Sequence, residues 1–154
     1  SFRAEEIGYK PDLILAARQI NSGMGKFIAD KTIKEMVKVG KVIKDSNILI
    51  LGLTFKEDCP DIRNSRVFDI IRELNDSGAC IDVYDPWIES GENTSTYKTI
   101  SDPFRSDKKY DAIVVAVSHS EFKAYTESDY DNLSSDKEVV IDIKNIVKNP
   151  TWRL

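Results

Sequence analysis

The sequence predicts an α/β protein: a Rossmann-like, doubly wound parallel sheet in three αβα layers, preceded by a long N-terminal helix. Two patterns and a length carry this expectation. From position 47 onward, short continuous apolar runs (NILILGL, ACIDVYD, AIVVAVS, EVVIDI) alternate with helical patterns. Continuous rather than alternating runs suit a sheet covered on both faces, because every side chain is then buried whichever way it points. Before position 45 the apolar residues recur at helical spacing instead. A chain of 154 residues can also bury one substantial core with some length to spare.

The first element is a helix starting near Pro11 and Asp12. Pro11 suits a first helical position, and Asp12 suits the positive end of the helix dipole. Leu13, Ala16, Ala17, Ile20, Met24, Phe27 and Ile28 form one stripe, and Gly40 is the expected stop. Gly23 and Gly25 each cost about 1 kcal/mol against alanine, which admits a kink or two consecutive helices. The stripe outruns what one small domain needs, so its N-terminal half is expected to pack on something else or on a second copy.

Strand one is NILIL, and the helix after it is VFDIIREL, with Asn64 or Ser65 as N-cap and Gly78 as terminator. Strand two is ACIDVYD, with Cys80 at its head as a small buried residue. Between Pro86 and Lys109 the pattern fades, with TYKTI as an edge strand. AIVVAVS and EVVIDI complete the sheet.

Composition excludes several classes of function. A formal charge of -4 provides no basic field for a nucleic acid, and 41% hydrophobic with 31% charged residues is ordinary for a globular protein. Two cysteines do not make a disulfide framework, and no segment approaches the ~20 apolar residues of a membrane helix. The expected setting is a reducing cytoplasm. The opening SFRAEEIGYK lacks both an apolar signal core and a methionine, and reads as a piece of a longer chain.

The functional signal is GLTFKEDCPDIRNSR, residues 52–66, between strand one and its helix. In a doubly wound sheet, ligands bind beyond the carboxyl ends of the strands. A dinucleotide fingerprint would place three glycines here; only Gly52 is present, with Lys56, Arg63 and Arg66 supplying cations. Lysine offers a point charge to a phosphate oxygen, and arginine offers a planar fork. On the residues alone, a phosphate-binding turn and a solvated ion-pair cluster of Lys56, Glu57, Asp58, Asp61 and Arg63 both remain open.

This string, followed by VFDIIRELNDSGACIDVYDPW, closely resembles the C-terminal domain of the UDP-glucose/GDP-mannose dehydrogenase family, most of all its bacterial UDP-N-acetylhexosamine 6-dehydrogenase branch. LILAARQIN, AVSHSEF and VVIDIKN extend the resemblance over essentially the whole chain. The resemblance implies an enzyme with an N-terminal NAD-binding domain, a central dimerising helix and a C-terminal UDP-binding domain. Such enzymes oxidise the sugar C6 alcohol twice to a carboxylate for surface polysaccharides, with NAD as oxidant and a cysteine nucleophile. It further implies that Phe55 and Lys56 contact the UDP-sugar and that Arg63 reaches towards NAD. Lys144, in DIKN, stands where relatives often carry a substrate-binding arginine, and a lysine does not reproduce a bidentate fork.

The domain expectation is therefore 1–44 as the end of the central dimerisation region, with homodimers forming through it, and 45–154 as the UDP-sugar-binding domain. Neither GxGxxG nor a glycine-flanked nucleophilic cysteine is present, so the chain alone is expected to be inactive. The alternative is a stand-alone, non-catalytic nucleotide-binding module that dimerises through its helix.

Three further residues invite chemistry. Cys59 lies near a helix N-terminus, yet Asp58 and Asp61 beside it disfavour a thiolate. His119, after AIVVAVS, reads either as a cleft residue or as a polar residue helping Ser118 and Ser120 start the next helix. Asp85 reads either as a ribose-binding acid or as an Asx turn before Pro86.

Overall fold

The computed structural model describes residues 12–154, so Pro11 and the opening SFRAEEIGYK lie outside the described residues. Helix α1 (Asp12–Lys38) runs unbroken for 27 residues. Its C-terminal half is part of the core, with Ile28, Ala29 and Met36 no more than 1% exposed. Its N-terminal half is different, leaving Leu13 85% and Ile20 66% exposed. The stop at Gly40 is as expected, with φ at +84° and the Lys41 N–H donating to the Met36 carbonyl at 3.0 Å.

The division into two consecutive helices admitted at Gly23 and Gly25 does not occur. Gly25 has another task. A Cβ there would lie 2.4 Å from Asp69 Cβ and 3.2 Å from the Asp69 carbonyl carbon, on helix α2 (Val67–Asp76). The glycine lets two helices approach backbone to side chain. The cost in helix propensity is offset by contact that no other residue would permit.

The six strands are β1 (Asn47–Leu51), β2 (Cys80–Tyr84), β3 (Lys98–Thr99), β4 (Ala112–Val115), β5 (Val140–Asp142) and β6 (Trp152–Arg153), all parallel in the order β3-β2-β1-β4-β5-β6. This is the doubly wound order, with its reversal between β1 and β4. Alternation along β1 builds two cores. Ile48 and Ile50 pack with α1 and with Val67, Ile70, Ile71 and Leu74 of α2. Leu49 and Leu51 pack on the opposite face with Tyr110, Phe122, Tyr130 and Leu133. Both faces of NILIL are thus covered, which is why the run is apolar without alternation.

The second face is covered more thinly than expected. After β4 the chain makes a single 3₁₀ turn, Phe122–Ala124, and only then helix α3 (Glu127–Leu133). Asp129 closes the start of α3 by accepting from the Thr126 backbone and hydroxyl. Ser118 and Ser120 therefore start no helix directly.

Two local expectations are corrected. The N-cap of α2 is Arg66, without a side-chain cap; Asn64 instead turns left-handed at φ 61°, and Ser65 accepts from the Val67 N–H at 3.3 Å from one position further out. Cys80 is exposed rather than buried, because alternation along the strand sends Ala79, Ile81 and Val83 to the face that α2 covers and Cys80 to the other. Gly78 does end α2 in the left-handed region, and TYKTI does contain the edge strand, β3.

Candidate functional site at the carboxyl ends of β1, β4 and β5

The segment after β1 is fixed from three directions. At its root, Gly52 has φ +93° and donates its N–H to the Tyr84 carbonyl at 2.8 Å. A Cβ on Gly52 would lie 2.4 Å from Val117 Cβ, so the space that a phosphate-binding glycine leaves open is filled by a side chain. The turn does not fit a dinucleotide pyrophosphate, which needs backbone approach there. Its one glycine serves packing.

Asp85, at the end of β2, organises the next residues. Its Oδ2 accepts from the Leu53 N–H at 2.7 Å, the Thr54 N–H at 3.0 Å and the His119 ring at 3.0 Å, while Oδ1 accepts from the Trp87 N–H at 2.9 Å. Burial alone would push this carboxyl up, but the His119, Leu53, Trp87 and Thr54 donors together bring it down to about 2. The contact to Trp87 is the expected Asx turn. The other oxygen is saturated by its own protein, so the ribose-binding reading does not hold.

His119 is fully buried and belongs to the same network, being neither a cleft residue nor a helix cap. The Asp58 N–H donates to Nδ1 at 2.9 Å, which places the ring proton on Nε2, towards Asp85 and the Thr54 hydroxyl at 3.1 Å. Asp58 accepts from the Ser120 backbone at 2.9 Å and hydroxyl at 2.6 Å, and these bonds hold its carboxyl below the usual range. Asp58, His119 and Glu121 offer ligand atoms within 4.8 Å of one another. A cation is nevertheless poorly served, because the Nδ1 lone pair is already taken by a backbone N–H.

On this scaffold the loop presents Phe55, 59% exposed, and Lys56, also exposed. Phe55 and Lys144 meet in one cavity of about 360 Å³ lined also by Met24 and Ile28 of α1, Ile70 of α2 and Val117. That volume lies at the lower end of the range for small-molecule sites. Asp142 positions the Lys144 segment by accepting from the Lys144 N–H at 2.9 Å and the Val147 N–H at 2.7 Å. Lys56 adjoins the cavity through Phe55 without lining it. Arg63 stands apart: it is 84% exposed and held by Asp61, which accepts from its Nε and Nη2 at 2.9 Å each. Arg63 in turn draws the Asp61 carboxyl down to about 2. The ion-pair reading of the turn is thus realised for Asp61 and Arg63, whereas Asp58 is tied to Ser120. Cys59, half-buried, has no histidine bonded to it among the described residues.

The sequence presents Asp85 and His119 separately, gives no sign of Thr54, and shows Asp58 only as a member of the charged turn. The missing signal was topological. If β2 and β4 flank β1, the residues just past their carboxyl ends converge on the residue just past β1.

Residues 49–149 match the model of the UDP-glucose/GDP-mannose dehydrogenase family, UDP binding domain. The chain is 40% identical over 145 residues to the UDP-N-acetyl-D-glucosamine 6-dehydrogenase of Salmonella typhi, covering 94% of this chain and 34% of that protein. It is 37% identical to protein CapL of Staphylococcus aureus, covering 99% and 37%. Among solved structures, the UDP-D-ManNAc dehydrogenase from Pyrococcus horikoshii superposes with a TM-score of 0.79 at 27% identity, over 97% of this chain and 35% of that one. The chain spans about a third of the length of the curated relatives it matches.

Proposed function

Because the chain belongs to the UDP-glucose/GDP-mannose dehydrogenase family, matching its UDP-binding domain, we propose that it holds the nucleotide end of the substrate in an NAD-dependent UDP-sugar 6-dehydrogenase. The observation that carries this is the convergence of Phe55 and Lys144 on one cavity beyond β1, β4 and β5, with Lys56 beside it. Phe55 offers an apolar ring face that buries against a base or sugar, and the two lysines offer charge to a diphosphate. NAD, when bound, supplies the oxidant, and the glycine-poor turn of this chain leaves that cofactor to another part of the enzyme. Arg63, at the outer end of the turn, is assigned to the cofactor side of the cleft. Residues 45–154 act as the substrate-holding unit, and the resemblance noted above supports a uronate for surface polysaccharide as the product. The same reading assigns the protein to a reducing cytoplasm, where Cys59 and Cys80 stay thiols. No helix among the described residues is long and apolar enough to cross a membrane.

Titration calorimetry of this chain with UDP tests the proposal. The expected result is saturable one-to-one binding. Absence of saturable heat up to about 1 mM UDP, where binding is worth only about 4 kcal/mol, would overturn it.

We assign the exposed N-terminal half of α1 to homodimer formation, supported by the run Leu13, Ile14, Leu15 and Ile20, each at least 42% exposed. Sedimentation should show dimers at micromolar concentration, converted to monomers by Ile20→Asp. Monomers in the parent chain at high micromolar concentration would count against this assignment.

A further inference from the structure

We propose that His119 is a positioning residue for nucleotide binding, fixing the backbone that presents Phe55 and Lys56. The inference rests on the UDP-binding reading above. Its basis is a chain of bonds that begins at one buried ring and ends on both sides of the two exposed side chains. On the near side, the Leu53 and Thr54 N–H groups are held by Asp85, whose carboxylate is itself held by the His119 Nε2–H. On the far side, the Asp58 N–H is held by His119 Nδ1. Between them, the Thr54 hydroxyl beside the ring donates to the Lys56 carbonyl at 3.0 Å, and the Phe55 N–H donates to the Asp61 carbonyl at 2.7 Å.

The ring suits this position because it offers an acceptor on one edge and a donor on the other, with no freedom between them. Asp58 is in the left-handed region at φ 53°, a conformation that a non-glycine residue keeps only when its surroundings impose it. The Asp58 N–H bond to His119 and the Ser120 bonds to the Asp58 carboxylate impose it here. An exposed phenylalanine and lysine on a fixed backbone lose little conformational freedom on meeting a ligand, so affinity is gained by ordering the loop in advance. Asp85 keeps its bonds to the Leu53 and Thr54 N–H groups without the ring, so the Nδ1 contact to Asp58 is the half on which the loop depends.

The two halves separate by substitution. His119→Asn keeps an acceptor near the Nδ1 position, His119→Gln keeps a donor near Nε2, and His119→Ala keeps neither. Hydrogen exchange at the Asp58 amide and UDP titration of the whole chain are measured together, at a temperature where circular dichroism shows each variant folded. His119→Gln and His119→Ala are expected to speed Asp58 exchange and to weaken UDP binding about tenfold, the size of one hydrogen bond. His119→Asn is expected to restore slow exchange and most of the affinity. Should the histidine variants not fold, Thr54→Val, which removes the bond to the Lys56 carbonyl at nearly constant volume, must still weaken UDP binding several-fold. If folded variants bind UDP like the parent while the parent binds well, His119 is merely structural and this inference is wrong. If the parent chain binds no UDP, the nucleotide-binding reading fails first and takes this inference with it.

Discussion

Gly52→Ala is expected to lower stability by about 3 kcal/mol or more and the melting temperature by roughly 10 °C, at two to four degrees per kcal/mol in a chain of this size. Two independent terms point the same way. A left-handed φ of +93° is strained for any residue with a Cβ, at a cost of about 1 to 3 kcal/mol. The added Cβ would also stand 2.4 Å from Val117 Cβ, 2.7 Å from its Cγ2 and 3.0 Å from its backbone nitrogen. Such overpacking costs about 1 to 3 kcal/mol more, and the backbone nitrogen is not free to move, because it is bonded to the Leu51 carbonyl at 3.3 Å. Val117→Gly should cost less in the Gly52→Ala background than in the parent, because it removes the side-chain part of the clash while leaving the φ strain and the backbone contact. Thermal unfolding followed by circular dichroism checks each variant alone and the two combined. A melting point within one or two degrees of the parent for Gly52→Ala would show that β1 and the segment after β4 are not held this closely.

The same residue shows what a sequence does and does not disclose. The apolar runs made the parallel sheet legible because burial on both faces leaves a periodicity, or the lack of one, along a single strand. Gly78 and Gly40 were legible because helix termination is a local backbone event. Gly52 and Gly25 were visible as glycines but not as contacts, since each is required by an atom far along the chain, at Val117 and Asp69. Cys80 was misplaced because burial at a strand's end depends on which face the side chain takes and on what covers that face. At the site, Lys56 and Arg63 could be picked out as cations within one turn, and Phe55 came through resemblance. Lys144 came only through resemblance, and its meeting with Phe55 in one cavity follows from strand order, a three-dimensional fact. Asp85 and His119 each carried two readings in sequence. Their mutual bond removes the ribose, cleft and helix-cap readings together and leaves Asp85 as the Asx turn.

Lys56→Ala is expected to weaken UDP binding by this chain ten- to a hundredfold, while Arg63→Ala leaves it close to the parent. A charge-assisted contact to a phosphate oxygen is worth about 1.5 to 3 kcal/mol, which corresponds to that factor. Lys56 is exposed, follows the cavity residue Phe55 directly and has its backbone carbonyl fixed by Thr54, so the residue stands beside the cavity with its side chain free to meet a ligand there. Among the described residues it forms no ion pair, although it lies within the electrostatic reach of Asp61. Its loss should therefore cost binding without releasing a competing partner. Arg63 is different on each point: it lies seven residues further on, it lines no part of the cavity, and both of its forked contacts are spent on Asp61. Removing it alters only a solvated surface ion pair, which water and salt already screen. Salt supplies the second axis of the test. The deficit of Lys56→Ala should shrink as ionic strength rises, because the interaction it removes is screened within about 10 Å at 0.1 M. A Phe55→Ala deficit should persist at high salt, because burial of an aromatic face does not depend on charge. Calorimetry at low and high salt on the three variants separates these outcomes. If Lys56→Ala binds UDP as well as the parent at both ionic strengths, the charged turn is a solvated surface and the diphosphate is held elsewhere.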